Sequence, residues 1–405
     1  MNRAGPLTDA GRWSSSPRVS QPAKVAFLIW SLDGGGAERQ LVTLVQNLDR
    51  ARFEPHVIVR QASSAYGDIG APLHSLQVAA GWTPAAVARL AQTLRALAPD
   101  LLHTEMDPEN MWGRLAARAT GVRRVVCAVR CPVLPLATRI SERVSARWVH
   151  HYVANSVGIR DALRRDCGVD EARVEVIENG VDLRRFDTFE GVDRDGVRRA
   201  RGVGDRTWIL LPGRISPEKN QLPVVRALAA LRREGALPDA LRVTLAGADG
   251  LDPGYVRAVD GVIRDEGLAG IVERPGFVRD VDAVLSTVDA VILPSAYEGL
   301  SNAVIEAMAL GAPVAVSEGA NADAVIVDRE HGWTLGAPTE AGIAAALRRI
   351  LATPVAERRA MGQRGRTSAR ARFTHTRMVA QQQDLYTRLL TAPEARRAGR
   401  RRANH

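Results

Sequence analysis

Cysteine, lysine and aromatic residues are all scarce in this chain of 405 residues. Its 3 cysteines, Cys127, Cys131 and Cys167, include no C-x-x-C spacing. That pattern argues against a disulfide framework or a zinc cage and fits a reducing compartment. Aromatic residues make up 4%, too few for a chain lined with sugar- or base-stacking platforms. Of 55 basic residues only Lys24 and Lys219 are lysines. No run of apolar residues is long enough to span a bilayer. Residues 1–22 are polar and lack the apolar stretch of a signal peptide, so the expected location is cytoplasmic.

With 46% hydrophobic and 25% charged residues, the chain has the composition of a folded globular protein, and its length predicts two domains or three. Short apolar strands alternate with helix-length segments. In the first half the strands are Lys24–Trp30, His56–Arg60, Leu101–Thr104, Arg124–Val129, His151–Ala154 and Val174–Ile177. The helices between them include Ala37–Leu48, Glu109–Ala119 and Ser141–Trp148. The alternation restarts at Thr207–Leu211 and continues through Leu241–Ala246, Ile271–Glu273, Ala290–Leu293 and Pro313–Val316. Strand–helix–strand spacing of this kind means parallel pairing. The predicted fold class is α/β, with two Rossmann-like doubly wound domains facing a cleft.

The expected boundaries are a flexible leader over 1–22, an acceptor-side domain over 23–185 and a linker over 186–205. A second domain over 206–375 follows, then a helix over 376–390 crossing back to the first domain, and a basic tail over 391–405.

Open parallel sheets bind ligands beyond the carboxyl ends of their strands, so the loops there are the places to look for chemistry. After the first strand comes Ser31-Leu32-Asp33-Gly34-Gly35-Gly36-Ala37-Glu38-Arg39. Its glycines let backbone approach a ligand closely, and its amides face an anion at the following helix. Arg39 stands where the last glycine of a dinucleotide fingerprint belongs, which disfavours a dehydrogenase. In the second half, Gly213-Arg214-Ile215-Ser216-Pro217-Glu218-Lys219-Asn220 places two cations around a turn just before a helix, a fork and a point charge suited to a diphosphate. After Ala290–Leu293 comes Glu298-Gly299-Leu300-Ser301-Asn302-Ala303-Val304-Ile305-Glu306. Glu306 is the only charge between Ser301 and Ser317. Buried in so apolar a helix, it needs a polar partner: vicinal hydroxyls of a ligand, or an arginine from the other domain. The triplets Asp193-Arg194-Asp195 and Asp280-Val281-Asp282 lie in the linker and at a helix start, and no metal site is expected from them.

Six blocks in order carry a resemblance: Gly34–Arg39, Val153-Ala154-Asn155-Ser156, Glu178-Asn179-Gly180, Gly213-Arg214 with Lys219-Asn220, Pro275-Gly276-Phe277-Val278, and the Glu298/Glu306 pair. Together they resemble the retaining, nucleotide-sugar-dependent glycosyltransferases of family 4, with their two-domain GT-B fold, over about residues 24–390. The resemblance implies that Arg214 and Lys219 grip the donor diphosphate, that Glu298 lies beside the sugar ring, and that Glu306 holds the ribose hydroxyls. It implies that backbone at Leu300, Ser301 and Asn302 caps phosphate or sugar oxygens, that Phe277 and Val278 border the base, and that Gly35 and Gly36 close on the phosphates. The chain departs from the family where a first-domain histidine often stands. Arg130 occupies that place, and Thr104 and Glu105 follow His103 where a second histidine is common. Arg130 and His103 are therefore the candidates for contacting acceptor or phosphate.

The implied activity is metal- and cofactor-independent transfer of a sugar, with retention, from a nucleoside-diphosphate sugar to an acceptor hydroxyl, in the synthesis of polysaccharide, glycolipid or other cell-envelope glycans. The implied acceptor is a sugar or a lipid-linked sugar. A retaining glycoside hydrolase is disfavoured by the scarce aromatics. A sugar-nucleotide epimerase of related fold is the nearer alternative. A nucleic-acid-binding protein is the non-enzymatic one, suggested by the net charge of +10. The charge is not uniform, however. Between Asn110 and Arg147, eight arginines face a single acid, Glu142, so a basic acceptor domain suits peripheral contact with an anionic membrane.

Overall fold

The computed structural model describes residues 21–61, 65–78 and 81–392. Apart from Gln21, Pro22, Thr391 and Ala392, the expected leader and tail lie outside these residues.

Two parallel sheets organise the chain. The first contains β1 (Ala23–Ile29), β2 (Phe53–Val59), β3 (Leu73–Ser75), β4 (Leu101–Glu105), β5 (Arg124–Val129), β6 (His151–Ala154) and β7 (Val174–Val176), in the order β3-β2-β1-β4-β5-β6-β7. The second contains β8 (Thr207–Pro212), β9 (Leu241–Ala246), β10 (Val272–Gly276), β11 (Ala290–Leu293), β12 (Val314–Ser317) and β13 (Gly332–Leu335), in the order β10-β9-β8-β11-β12-β13. Helices cover both faces of each sheet. The central strands are accordingly almost wholly apolar: Val25 to Ile29 and Val291 to Leu293 are buried throughout. In each sheet the order reverses once, between β1 and β4 and between β8 and β11. Loops leaving the carboxyl ends of those four strands frame the crevice.

Local signals set the helix ends. Thr83 caps the helix Pro84–Leu97, its hydroxyl accepting from Ala86 N at 3.2 Å with proline at the first position. Gly168, at φ 70°, ends the helix Val157–Cys167 in the left-handed conformation that glycine takes without strain.

The structure differs from the sequence reading in three places. The short strands β3 and β13 lie near sheet edges, where few apolar residues suffice. The helix expected over Ser141–Trp148 spans Leu136–Ser145, starting directly after Pro135. Residues 186–205 are not a free linker: they contain the helix Arg194–Ala200, and Val181, Phe186 and Val203 are buried with Trp208 in the core of the second domain. Arg198 secures this segment, donating to Thr287 O at 2.9 Å and Gly204 O at 2.9 Å. The long helix His375–Thr391 packs Met378, Val379, Leu385 and Tyr386 into the core of the first domain. It clasps the two domains together.

Candidate active site

The crevice is built by four loops. Beyond β8, Gly213 turns the chain at φ 138°, and the facing Gly247 has no room for a side chain: a Cβ there would lie 2.0 Å from Gly213 O. Asn220 closes the same loop at φ 58°, a conformation asparagine tolerates. Its Nδ2 donates to Pro294 O at 2.7 Å, and Ala296 N donates to Glu218 O at 2.8 Å. These bonds tie the loop after β8 to the loop after β11. The tie brings Lys219 onto Glu298, with which it forms an ion pair. Arg214 is exposed nearby, and its guanidinium has no hydrogen bond or ion pair among the described residues.

Next to that pair the helix Asn302–Ala309 begins. Ser301 is its N-cap, but no side-chain hydrogen bond caps the first turn, leaving amide N–H groups and the positive end of the helix dipole at the crevice. Glu306 is buried one turn further in. Burial pushes its carboxyl above the usual range, against the pull of Arg39, its ion-pair partner from the first domain. The partner that so apolar a helix demands is thus, in this structure, an arginine from the facing domain.

The domains meet through a polar knot. Asn302 Nδ2 donates to Gly36 O at 2.9 Å, while its Oδ1 accepts from Gln40 Nε2 at 3.1 Å and from Asn179 Nδ2 at 2.9 Å. Gln40 also bridges to Gly180, bonding both its N and its O at 3.0 Å. Gly299 fits against the first domain only because it lacks a side chain: a Cβ there would lie 2.4 Å from Arg130 O and 2.6 Å from Asn155 Oδ1.

Three sequence-based assignments are revised by this geometry. The amide of Leu300 is not free for a phosphate, since it donates to Asn155 Oδ1 at 3.2 Å and its carbonyl accepts from Asn179 at 2.7 Å. His103 is wholly buried, with Nδ1 2.5 Å from the Tyr386 hydroxyl and Nε2 3.4 Å from Glu105, so it does not reach an acceptor. Arg130 is held by Glu105 in a bidentate pair at 3.0 and 2.9 Å, and its remaining nitrogen donates to Asn179 at 3.2 Å. Its donors are committed to fixing the domain contact rather than to a ligand. Although burial alone raises Glu105, Arg130 and His103 bring it down to about 2.

Gly36 lies against Asn302, and the Glu38 carboxylate folds over Gly35. Burial pushes that carboxylate upward. Phe277 is 70% exposed at the rim beyond β10, with Val278 packed beneath it. The acidic triplets are engaged structurally: Asp193 caps its own helix, Asp280 pairs with Arg201, and Asp282 pairs with Arg185.

The sequence reading gave no role to Arg39, Gln40, Glu105, Asn155 or Asn179. Four of these five sit at or just beyond the ends of strands or in quoted motif blocks, and Gln40 lies one residue past such a block. That was the available signal. Three tryptophans gather in the first domain. Trp82 and Trp112 pack at 5.8 Å between ring centroids, and Arg60 lies 3.5 Å over Trp30, at the crevice end of the first sheet.

Comparison with known proteins gives a consistent picture. The family profile described as Glycosyltransferase Family 4 matches residues 34–185, and that described as Glycosyl transferases group 1 matches residues 206–353. A UDP-Gal:alpha-D-GlcNAc-diphosphoundecaprenol alpha-1,3-galactosyltransferase of Escherichia coli is 26% identical over 229 residues, 54% of this chain and 57% of that protein. A D-inositol 3-phosphate glycosyltransferase of Salinispora tropica is 31% identical over 263 residues, 62% of this chain and 54% of that protein. The matches thus span just over half the length of these two relatives. Among solved structures, Anabaena HepE, crystallised with UDP and glucose, superposes with a TM-score of 0.78 at 22% identity, covering 90% of this chain and 99% of that one. WaaG, a glycosyltransferase involved in lipopolysaccharide biosynthesis, gives 0.71 at 14% identity, covering 91% and 100%. Both likenesses are of fold.

Proposed function

The chain belongs to glycosyltransferase family 4, with the two-domain GT-B fold, and from that premise we propose that it transfers a sugar from a nucleoside-diphosphate sugar to a lipid-linked sugar acceptor. The observation that carries the proposal is the convergence of Lys219, Glu298 and the uncapped start of the helix Asn302–Ala309, with Glu306 one turn inside.

Breaking the bond between the anomeric carbon and the diphosphate leaves a dianion. Lys219 and the unpaired Arg214 offer two cations to that charge, and the amides at Ser301–Asn302 offer donors. Groups aimed in advance at developing charge are each worth about 10²–10³ in rate. They supply the cationic environment without a resident metal or cofactor. On binding, Lys219 exchanges its Glu298 partner for phosphate, which frees Glu298 to face the sugar ring. Glu306 takes the ribose hydroxyls in place of Arg39. The acceptor oxygen bonds to the anomeric carbon from the side the diphosphate leaves, and the departing phosphate oxygen takes the acceptor's proton. Configuration is therefore retained.

A uridine diphosphate donor is favoured by the UDP-Gal used by the Escherichia coli relative and by the UDP bound to HepE. A lipid-diphosphate acceptor is favoured by that relative's substrate and by the arginine-rich first domain. On this reading the reaction runs at the cytoplasmic face of a membrane, in cell-envelope glycan synthesis. A thermal-shift screen of nucleoside diphosphates and their sugars tests the donor reading, because a ligand that binds only the folded state raises Tm by mass action. UDP and a UDP-sugar are expected to raise it. No response to any nucleotide would remove the proposal.

A further inference from the structure

Among the described residues, the first domain leaves an apolar ridge uncovered. Val133, Leu136, Ile140 and Val144 are 48, 72, 55 and 57% exposed. The last three recur every fourth residue on the helix Leu136–Ser145. They form a single stripe about 12 Å long at 1.5 Å of rise per residue. Scattered exposed hydrophobics are ordinary, but a contiguous stripe on one face marks a contact surface.

The charge around the stripe has one sign. Between Leu136 and Trp148 the only acid is Glu142, and it is buried in an ion pair with Arg114 and a hydrogen bond from Tyr152 at 2.5 Å. Arg143 and Arg147 on this segment are exposed, as is Arg164 on the neighbouring helix Val157–Cys167. The acids of that helix, Asp161 and Asp166, are already paired with Arg160 and Arg165. The helix thus presents apolar side chains flanked by unneutralised arginines, the pattern of a helix that lies in a bilayer interface with its apolar face about 5–10 Å deep. Its position suits the chemistry too. The loop that leads into the helix begins at Arg130, whose carbonyl abuts Gly299 at the crevice.

We propose that the Val133–Val144 ridge and its arginines form a docking face for an anionic lipid bilayer, presenting the crevice to acceptors anchored there. The inference deepens the lipid-linked acceptor reading above and rests on it for its purpose, but bilayer binding is measured without donor or acceptor.

The test is co-sedimentation of the full chain with vesicles of phosphatidylcholine alone and of phosphatidylcholine with phosphatidylglycerol. The wild type is expected to bind the mixed vesicles and to be released by high salt. Leu136→Glu/Ile140→Glu/Val144→Glu is expected to bind at least about tenfold more weakly, and Arg143→Glu/Arg147→Glu likewise. Because these side chains point to solvent, both variants should keep the wild-type Tm and the Tm rise with UDP. Absence of wild-type binding, or equal binding by the ridge variant, would overturn the proposal. So would size-exclusion showing a wild-type dimer that the ridge variant splits, since the ridge would then join two copies. Loss of the UDP response in the wild type alone would sink the donor reading instead.

Discussion

Arg39 and Glu306 form an ion pair across the crevice, joining the first helix of one domain to the helix after β11 of the other. The pair answers the electrostatic problem of a carboxylate in an apolar helix, and it occupies the group proposed to hold the donor's ribose. If the carboxylate serves the ligand, removing it should cost more than removing its partner. In a calorimetric titration with UDP, Glu306→Ala is expected to weaken affinity at least about tenfold more than Arg39→Ala, on the scale of hydrogen bonds to a charged group. Equal losses would mean that Glu306 serves only the domain contact.

Lys219 and Glu298 pair at the crevice with both side chains partly exposed, so the pair itself contributes no more than about 1 kcal/mol to stability. Lys219→Ala should therefore leave Tm nearly unchanged while reducing the transfer rate at least about 10²-fold. The same loss is expected for Glu306→Ala. Wild-type rates from either variant would refute the donor-site assignment.

The parts of this molecule that were legible in its sequence are those governed by local patterning. β1, β4, β8 and β11 are apolar runs bounded by turn residues, and the loops that follow them carry Gly35, Lys219 and Glu298. What was not legible depends on distance closed by folding. Nothing near Arg130 in the chain says that Glu105 will neutralise it, 25 residues away, or that Asn179 will bridge both domains. His103 is a candidate acceptor contact only through the family resemblance, in which a histidine is common just after this strand. Tyr386, 283 residues later, covers it. The linker was misread for a related reason: residues 186–205 are polar and charged, yet Phe186 and Val203 suffice to seat them on the second core.

Glu105 tests whether that buried network is structural. Its carboxyl is held at about 2 in the fold, against the higher value of an unfolded chain. The depressed value contributes stability that is present above about pH 4.5 and lost as pH falls toward 2. Glu105→Gln removes the charge and leaves Arg130 without its bidentate partner, which should cost about 3–5 kcal/mol at neutral pH. Denaturant unfolding at pH 7 measures it. A cost below about 1 kcal/mol would show that Arg130 finds its stabilisation elsewhere.

Gly299 tests the closed arrangement. Adding a methyl group there drives it into Arg130 O and Asn155 Oδ1, at 2.4 and 2.6 Å, and the first of these is a backbone carbonyl that moves only with its loop. Gly299→Ala should leave each domain folded, by circular dichroism, and increase the radius of gyration in small-angle scattering. Transfer activity should fall with it, because Lys219 and Glu298 lie beside the displaced loop. An unchanged scattering profile would mean the contact is not what holds the crevice shut.

Glu109 offers a pH signature opposite to that of Glu105. It opens the helix Glu109–Thr120, is buried, and has Oε1 without a hydrogen-bond partner. Burial pushes its carboxyl up to about 7, opposed only in part by Arg60 and Trp82. A carboxyl raised on folding favours the folded state most below its unfolded value near 4.5, and that advantage is lost as pH rises through 7. Glu109→Gln keeps the shape and removes the proton. Relative to the wild type, the variant should therefore gain in Tm as pH rises from 5 to 8, with the gain levelling off above about pH 7. A Tm difference that stays flat over this interval would mean Glu109 ionises freely, its charge stabilised at least as much as its burial opposes it.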